Sequence, residues 1–182
     1  MNTKRFIRHL ENEGDEVWDR YNRIIERVRA TNTNDMLKQI ERMHSTRGSR
    51  RLMLKTSITA DNLIKVHLEE MSYRSALVEI NIQASRLYRR LDVALGAVSS
   101  HIASNYSGYL RETAVRTKGE ITTFIDTLLE DGWSLHGRLE YVMDVGKQVI
   151  SDIDQAAWGM KNLVELLKVA AARESVIKST EI

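Results

Sequence analysis

Apolar residues recur along two long stretches of the chain, with steps that alternate between three and four residues. The first stretch comprises, with two polar exceptions, Leu63, Val66, Glu70, Tyr73, Leu77, Ile80, Ala84, Leu87, Leu91, Ala94, Val98 and His101. The second comprises Leu135, Leu139, Val142, Gly146, Val149, Ile153, Ala156, Met160, Leu163, Leu167 and Ala170. A period of 3.5 residues is typical of a long helix that packs along a partner. The pattern therefore predicts two long helices, over about 59–104 and about 133–173.

Shorter helical patterns precede and separate the two long helices. Apolar residues at helical spacing predict one helix over about 15–30 and a short second helix that begins near Met36. Between the long helices, Asn105 to Gly108 predicts a turn, and 121–128 predicts a short helix. The segment 42–56 is basic and contains glycine and serine, so we interpret it as a linker.

Together these elements predict an all-α fold. Its centre is a long antiparallel helical hairpin in an elongated bundle, with coiled-coil-like seams and small N-terminal helices. We divide the chain into an N-terminal helical segment (1–58), which contains the basic linker, and a hairpin and oligomerisation domain (59–182).

A pair of helices leaves one side of each seam uncovered, so the default expectation is a homo-oligomer. The alternative is that the N-terminal helices close a four-helix bundle within one chain. The residues predicted to pack between copies are Leu77, Ile80, Leu87, Leu91, Val142, Val149, Ile153, Met160 and Leu163.

The composition narrows the class of protein. The 182 residues contain no proline, which favours uninterrupted helices, and no cysteine, which excludes disulfides and thiolate metal sites. The histidines lack metal-ligand spacing and no phosphate-binding glycine loop occurs, so we expect no enzyme activity, no metal and no cofactor. No apolar run approaches the ~20 residues of a membrane span, and the first residues lack the apolar core of a signal peptide. We therefore expect a soluble, cytoplasmic protein with no membrane partner.

Basic residues are concentrated towards the N terminus. Residues 1–60 contain 13 Lys and Arg against 8 Asp and Glu, although the whole chain carries only +2. Because such side chains neutralise phosphates, single-stranded nucleic acid is a candidate ligand. The predicted contact residues are Arg47, Arg50, Arg51 and Lys55 of the linker, Arg86, Arg89 and Arg90 of the first long helix, and Tyr106, Arg116 and Lys118 beyond it. Two alternatives stay open: the linker could bind an acidic protein surface, and the helix arginines could pair with neighbouring acids.

Three short motifs follow one another in the second half of the chain. They are NYSG at 105–108, the Lys118-x-Glu120 pair that opens a short helix, and Tyr141 and Lys161 in the final helix. In this order, the chain from about 71 to 170 resembles the UvsY-type recombination mediators of tailed phages. That family places basic residues just before its Tyr-Ser-Gly turn, whereas 91–110 contain no lysine or arginine here. The family's DNA-binding residues are therefore not carried over.

The resemblance implies a homo-oligomer that binds single-stranded DNA, displaces or remodels the single-strand-binding protein and helps to load a RecA-like recombinase. We therefore hypothesise a non-enzymatic recombination mediator, acting in the host cytoplasm if the chain is of phage origin. The alternative is a helical structural or scaffolding protein of a phage particle or other assembly. Salt-dependent binding to single strands separates the two, because neutralising about five phosphates gives a log–log slope near −3.5.

Overall fold

The computed structural model describes residues 2–54, 59–112, 115 and 117–180, with side chains described outside 48–54 and 174–180. Within that part of the chain every regular element is an α-helix, which confirms the predicted all-α fold. The helices are α1 (Thr3–Glu13), α2 (Glu16–Ala30), α3 (Thr33–Leu54), α4 (Ala60–Asn105), α5 (Ser107–Glu112), α6 (Lys118–Leu128) and α7 (Glu130–Thr180). The two longest, α4 and α7, are the two helices that the apolar seams predict.

Polar side chains define where the short helices begin. Asn2 caps α1 by accepting a hydrogen bond from the Lys4 N–H at 2.9 Å. Asp15 caps α2, because its carboxylate accepts from two N–H groups of the first turn. Thr117 forms a capping box at the start of α6 with the residue three positions later. Gly14 ends α1 with φ +65°, a left-handed conformation that favours glycine.

The prediction of a linker over 42–56 is wrong for the described part of that segment, because α3 continues to Leu54. The helix tolerates Gly48, and no proline interrupts it. Arg47, in the middle of the expected linker, is buried against α4 and anchors this part of α3. Residues 55 and 56 lie outside the described residues. The sequence pattern also missed α1 and placed the end of α7 too early.

Contacts divide the chain into two compact units, neither of which is continuous in sequence. Unit 1 comprises Met1–Asn34 and Gln83–Met143, and unit 2 comprises Asp35–Ile82 and Asp144–Ile182. Each unit therefore contains one part of α4 and one part of α7. The sequence pattern predicts a single boundary, after residue 58.

Within each unit, the α4 and α7 segments run antiparallel. In unit 2, Arg74 forms an ion pair with Asp154 at 2.7 Å. Further along α4 in the same unit, Asn81 lies against Gly146, which is earlier in α7; a Cβ added at Gly146 would lie 2.5 Å from the Asn81 Oδ1. Residue numbers thus rise along α4 as they fall along α7.

Unit 1 shows the same antiparallel order at a tightly packed point. Asp92 lies 3.4 Å from His136, and Leu95, further along α4, packs against Gly132. A Cβ at Gly132 would lie 2.8 Å from the Leu95 side chain and 2.5 Å from the hydroxyl of Tyr21. Both neighbours are buried, so glycine is required here by close packing.

The predicted seam residues form the core of a single chain. Most of the residues assigned to contacts between copies are buried in the single chain: Leu77, Ile80, Leu91, Val142, Val149, Ile153 and Met160. Leu87 is half-buried, and Leu163 is 41% exposed. Neighbouring helices of the same chain therefore cover most of each seam, and the two seams do not require a second copy of the chain to be buried. Leu163 is the exception.

Candidate nucleic-acid interface

A groove lined by five arginines lies between α2 and α4 in unit 1. Two adjoining cavities of about 530 and 700 Å³ share part of their lining and together form this groove. The lining arginines are Arg20, Arg23 and Arg27 of α2 and Arg89 and Arg90 of α4. We call this surface the arginine groove.

Helix geometry explains why the α2 arginines share one face. They stand at positions i, i+3 and i+7, which lie on one side of a helix. The opposite side of α2 carries Trp18, Tyr21, Ile25 and Val28, which are buried in unit 1. Packing of that apolar side therefore turns the three guanidinium groups outwards.

The side chains of the arginine groove carry unbalanced positive charge. None of the five arginines forms an ion pair within the described part of the chain. Arg23 donates to the carbonyl of Asp19, in its own helix, at 3.4 Å. Of the lining residues that the structure describes, Glu16 is the one that carries a carboxylate. Five like charges beside one opposite charge repel each other, so the groove favours an anionic ligand.

The structure brings two of the predicted contact residues, Arg89 and Arg90, into this groove. Arg86 is exposed one helical turn earlier on α4 but does not line either cavity. None of these three arginines forms an ion pair with another described residue. The structure therefore does not support the alternative that they pair with neighbouring acids. Lys118 is exposed at the start of α6, outside the groove.

Arg47 does not have the exposed position expected of a phosphate contact. It belongs to unit 2, where its Nε donates to the Glu70 Oε2 at 2.8 Å, and the two side chains are only 3% and 4% exposed. Arg47 is thus corrected from a candidate ligand contact to a buried ion-pair partner. The side chains of Arg50 and Arg51, and the whole of Lys55 and Arg116, lie outside the described residues.

Tyr106 is held inside unit 1 instead of offering a stacking surface. Its hydroxyl donates to the Asp15 Oδ2 at 2.7 Å and to the Glu13 Oε2 at 3.1 Å, and its ring meets Phe6 edge-on at 5.6 Å. Burial and these two carboxylates raise the pKa of Tyr106. The ring of Tyr109 likewise stacks on a histidine. The interpretation of Tyr106 as a base-stacking residue is therefore corrected to a packing role.

Asp15 connects this aromatic cluster to the start of α2. One carboxylate oxygen accepts from the N–H groups of Val17 and Trp18 at 3.0 and 2.9 Å, while the other contacts the His101 Nε2 at 2.6 Å and the hydroxyl of Tyr106. Burial by itself raises the pKa of Asp15, but the hydrogen bonds outweigh it, and the net pKa lies below the ordinary value. The ionised carboxylate therefore stabilises unit 1.

Sequence reasoning missed the contribution of α2 to the groove. Arg20, Arg23 and Arg27 do follow a helical spacing that the sequence displays. Their importance depends on which part of α4 lies beside α2, and that contact joins residues more than sixty positions apart. A spacing rule within one helix contains no such information.

In class, the fold and this surface define an all-α protein with an exposed arginine groove. No family model, curated protein or solved structure matches the chain. Among the described residues, no group of three or more His, Asp or Glu side chains is placed to hold a metal ion. Over the same residues, no helix is long and apolar enough to cross a membrane.

Proposed function

We propose that this chain is a non-enzymatic recombination mediator that binds single-stranded DNA in the arginine groove. In this proposal it helps to load a RecA-like recombinase in place of a single-strand-binding protein. The observation that carries the DNA-binding part is the convergence of five arginines from two helices, none of them in an ion pair with another described residue. The recombinase and the single-strand-binding protein enter through the resemblance to the UvsY-type mediators.

Physical reasoning supports an extended, flexible polyanion as the ligand. The axes of packed helices lie about 8–10 Å apart, so a groove between two of them is narrow. A single strand can bend its backbone into such a groove, whereas the phosphates of a duplex have fixed positions. Arginine also suits phosphate, because its planar guanidinium donates two parallel hydrogen bonds.

Fluorescence anisotropy with a labelled oligonucleotide of thymidine tests the DNA-binding part. If the five groove arginines each neutralise one phosphate, the log–log salt slope is about −3.5. The double variant Arg27→Gln and Arg90→Gln leaves three arginines, and we expect its slope to fall to about −2. The matched control is Arg8→Gln with Arg138→Gln, which removes the same charge from exposed positions of unit 1 outside the groove.

Two results would contradict DNA binding in this groove. One is the absence of binding at low salt. The other is an equal loss of affinity in the control variant, because that would show dependence on net charge alone. The mediator part is tested separately: addition of the chain to a dye-labelled single-strand-binding protein on poly(dT) should change the fluorescence of the bound protein, and no change would refute remodelling.

A structural or assembly protein is the second candidate, and an exposed apolar surface in unit 2 favours it. On α7, Trp158, Leu163, Leu166, Leu167 and Val169 are all exposed large apolar side chains. Exposed apolar surface of this kind marks contacts with other proteins. The same surface is also where a homo-oligomer would form, so sedimentation velocity of the wild type and of Leu166→Asp tests it. A monomer in both cases would remove the support for self-association.

A further inference from the structure

We infer that the arginine groove recognises the sugar–phosphate backbone alone and makes no stacking contact with bases. This inference rests on the proposed function and names the part of the nucleic acid that the same site contacts. Its ligand class is a phosphodiester chain, whether DNA or RNA and whether or not bases are present.

The first support is that the aromatic rings of α2, and the one next to the α4 arginines in sequence, are engaged in packing. Proteins that bind single strands usually stack bases on exposed aromatic side chains. Among the described lining residues Tyr21 is the one aromatic residue, and it is 4% exposed. Its hydroxyl lies against Gly132 in the first turn of α7. Trp18, on the same helix, is equally buried.

The aromatic residue next to the α4 arginines is also engaged. Tyr88 precedes Arg89 in sequence, but its ring stacks on His136 with centroids 4.0 Å apart. It does not belong to the lining of either cavity. The aromatic side chains at 18, 21 and 88 are therefore all used for internal packing.

The second support is the chemistry of the remaining lining residues. Apart from the arginines, Glu16 and the buried Tyr21, the lining side chains are aliphatic, such as Ile24, Leu87 and Val93. No asparagine, glutamine, serine or threonine is among the described lining residues, so the arginines and Glu16 are the side chains there that can hydrogen-bond to base edges. Arginine donates to phosphates as well as to guanine edges, so this set of side chains favours phosphate contact over base readout.

Anisotropy with four probes of equal length tests the inference. They are oligo(dT), an abasic strand with the same phosphates, oligo(U), and a thymidine strand with uncharged methylphosphonate links. We expect the abasic strand and oligo(U) to bind within threefold of oligo(dT), and the methylphosphonate strand not to bind. Base stacking contributes about 1–3 kcal/mol per base, so its participation would weaken abasic binding by about 5-fold or more.

The variants connect the result to the groove. Arg27→Gln with Arg90→Gln should weaken oligo(dT) and the abasic strand by the same factor, whereas Arg8→Gln with Arg138→Gln should weaken neither selectively. A loss of more than threefold on removing the bases, or a groove variant that affects only oligo(dT), would overturn backbone recognition while leaving DNA binding intact. Absence of oligo(dT) binding at low salt would instead overturn the proposed function itself.

Discussion

Replacing Glu70 by glutamine removes the carboxylate that accompanies the buried guanidinium of Arg47. The two side chains are 4% and 3% exposed and their charged atoms lie 2.8 Å apart. Moreover, the Arg47 Nη2 is buried and has no hydrogen-bond partner among the described residues. Loss of the carboxylate therefore leaves a positive charge with little solvent to stabilise it.

The expected loss is large relative to the stability of a small protein. Breaking a buried pair by removing one partner costs about 3–5 kcal/mol, against a total free energy of unfolding of about 5–15 kcal/mol. At about 2–4 °C per kcal/mol for a chain of this size, the midpoint of thermal unfolding should fall by at least about 6 °C. Replacing both partners, as Arg47→Met with Glu70→Leu, should restore most of the stability, because the apolar pair fills a similar volume without a buried charge.

Urea denaturation followed by circular dichroism at the helix band measures these free energies. Glu79→Gln is the matched control, since Glu79 is exposed on the same helix and unit, and its change should stay within about 0.5 kcal/mol. A loss below about 1 kcal/mol for Glu70→Gln would be typical of a solvated surface pair and would refute the buried arrangement. It would also return Arg47 to the set of possible phosphate contacts.

Three further predictions concern unit packing, acid stability and burial along α7. Gly132→Ala should lower the free energy of unfolding by about 1–3 kcal/mol, because the new methyl group meets two buried side chains. The control Gly137→Ala, in open space on the same helix, should raise that free energy by up to about 1 kcal/mol. Equal shifts of the two variants in thermal melts would contradict the close packing at Gly132. The pKa of Asp15 is lowered on folding, so its contribution is complete above the ordinary value of about 3.9 and is lost as the pH falls through the lower folded pKa. Asp15→Asn should therefore be less stable at pH 7 by about 1–3 kcal/mol and lose less stability between pH 5 and 3, and parallel urea midpoints over that range would refute the linkage. Finally, Val149→Asp should lower the free energy of unfolding by about 3 kcal/mol or more, because Val149 is buried. Leu166→Asp, at a 65% exposed position, should lower it by less than about 0.5 kcal/mol. Comparable losses in urea denaturation would show that Leu166 is covered.

The helical pattern was the most predictable part of this protein. The periods of the two seams identified α4 and α7, because an apolar repeat of 3.5 residues is typical of a packed helix and of few other structures. The segment around Gly48 was misjudged for the opposite reason. Local breaker signals favour a linker there, whereas Arg47 gains a buried partner on α4 that lies 23 residues away in sequence.

Some residues of the candidate site could be predicted from the sequence, and others could not because their roles depend on contacts with distant parts of the chain. Arg89 and Arg90 stood out by their charge, and the structure places them in the groove. Tyr106 stood out as an aromatic residue in a turn, but its hydroxyl is taken by carboxylates from the N-terminal helices. Whether a side chain faces a ligand or a neighbour depends on what the rest of the chain places beside it.

By itself, the sequence determined the helix content and the identity of the two long helices. These depend on the absence of proline and on apolar spacing, which act over one or two helical turns. Only the tertiary structure decided that most seam residues are covered within one chain and that α2 stands beside Arg89 and Arg90. Those outcomes depend on contacts between residues that are far apart in sequence, and the packing of buried surface selects among them.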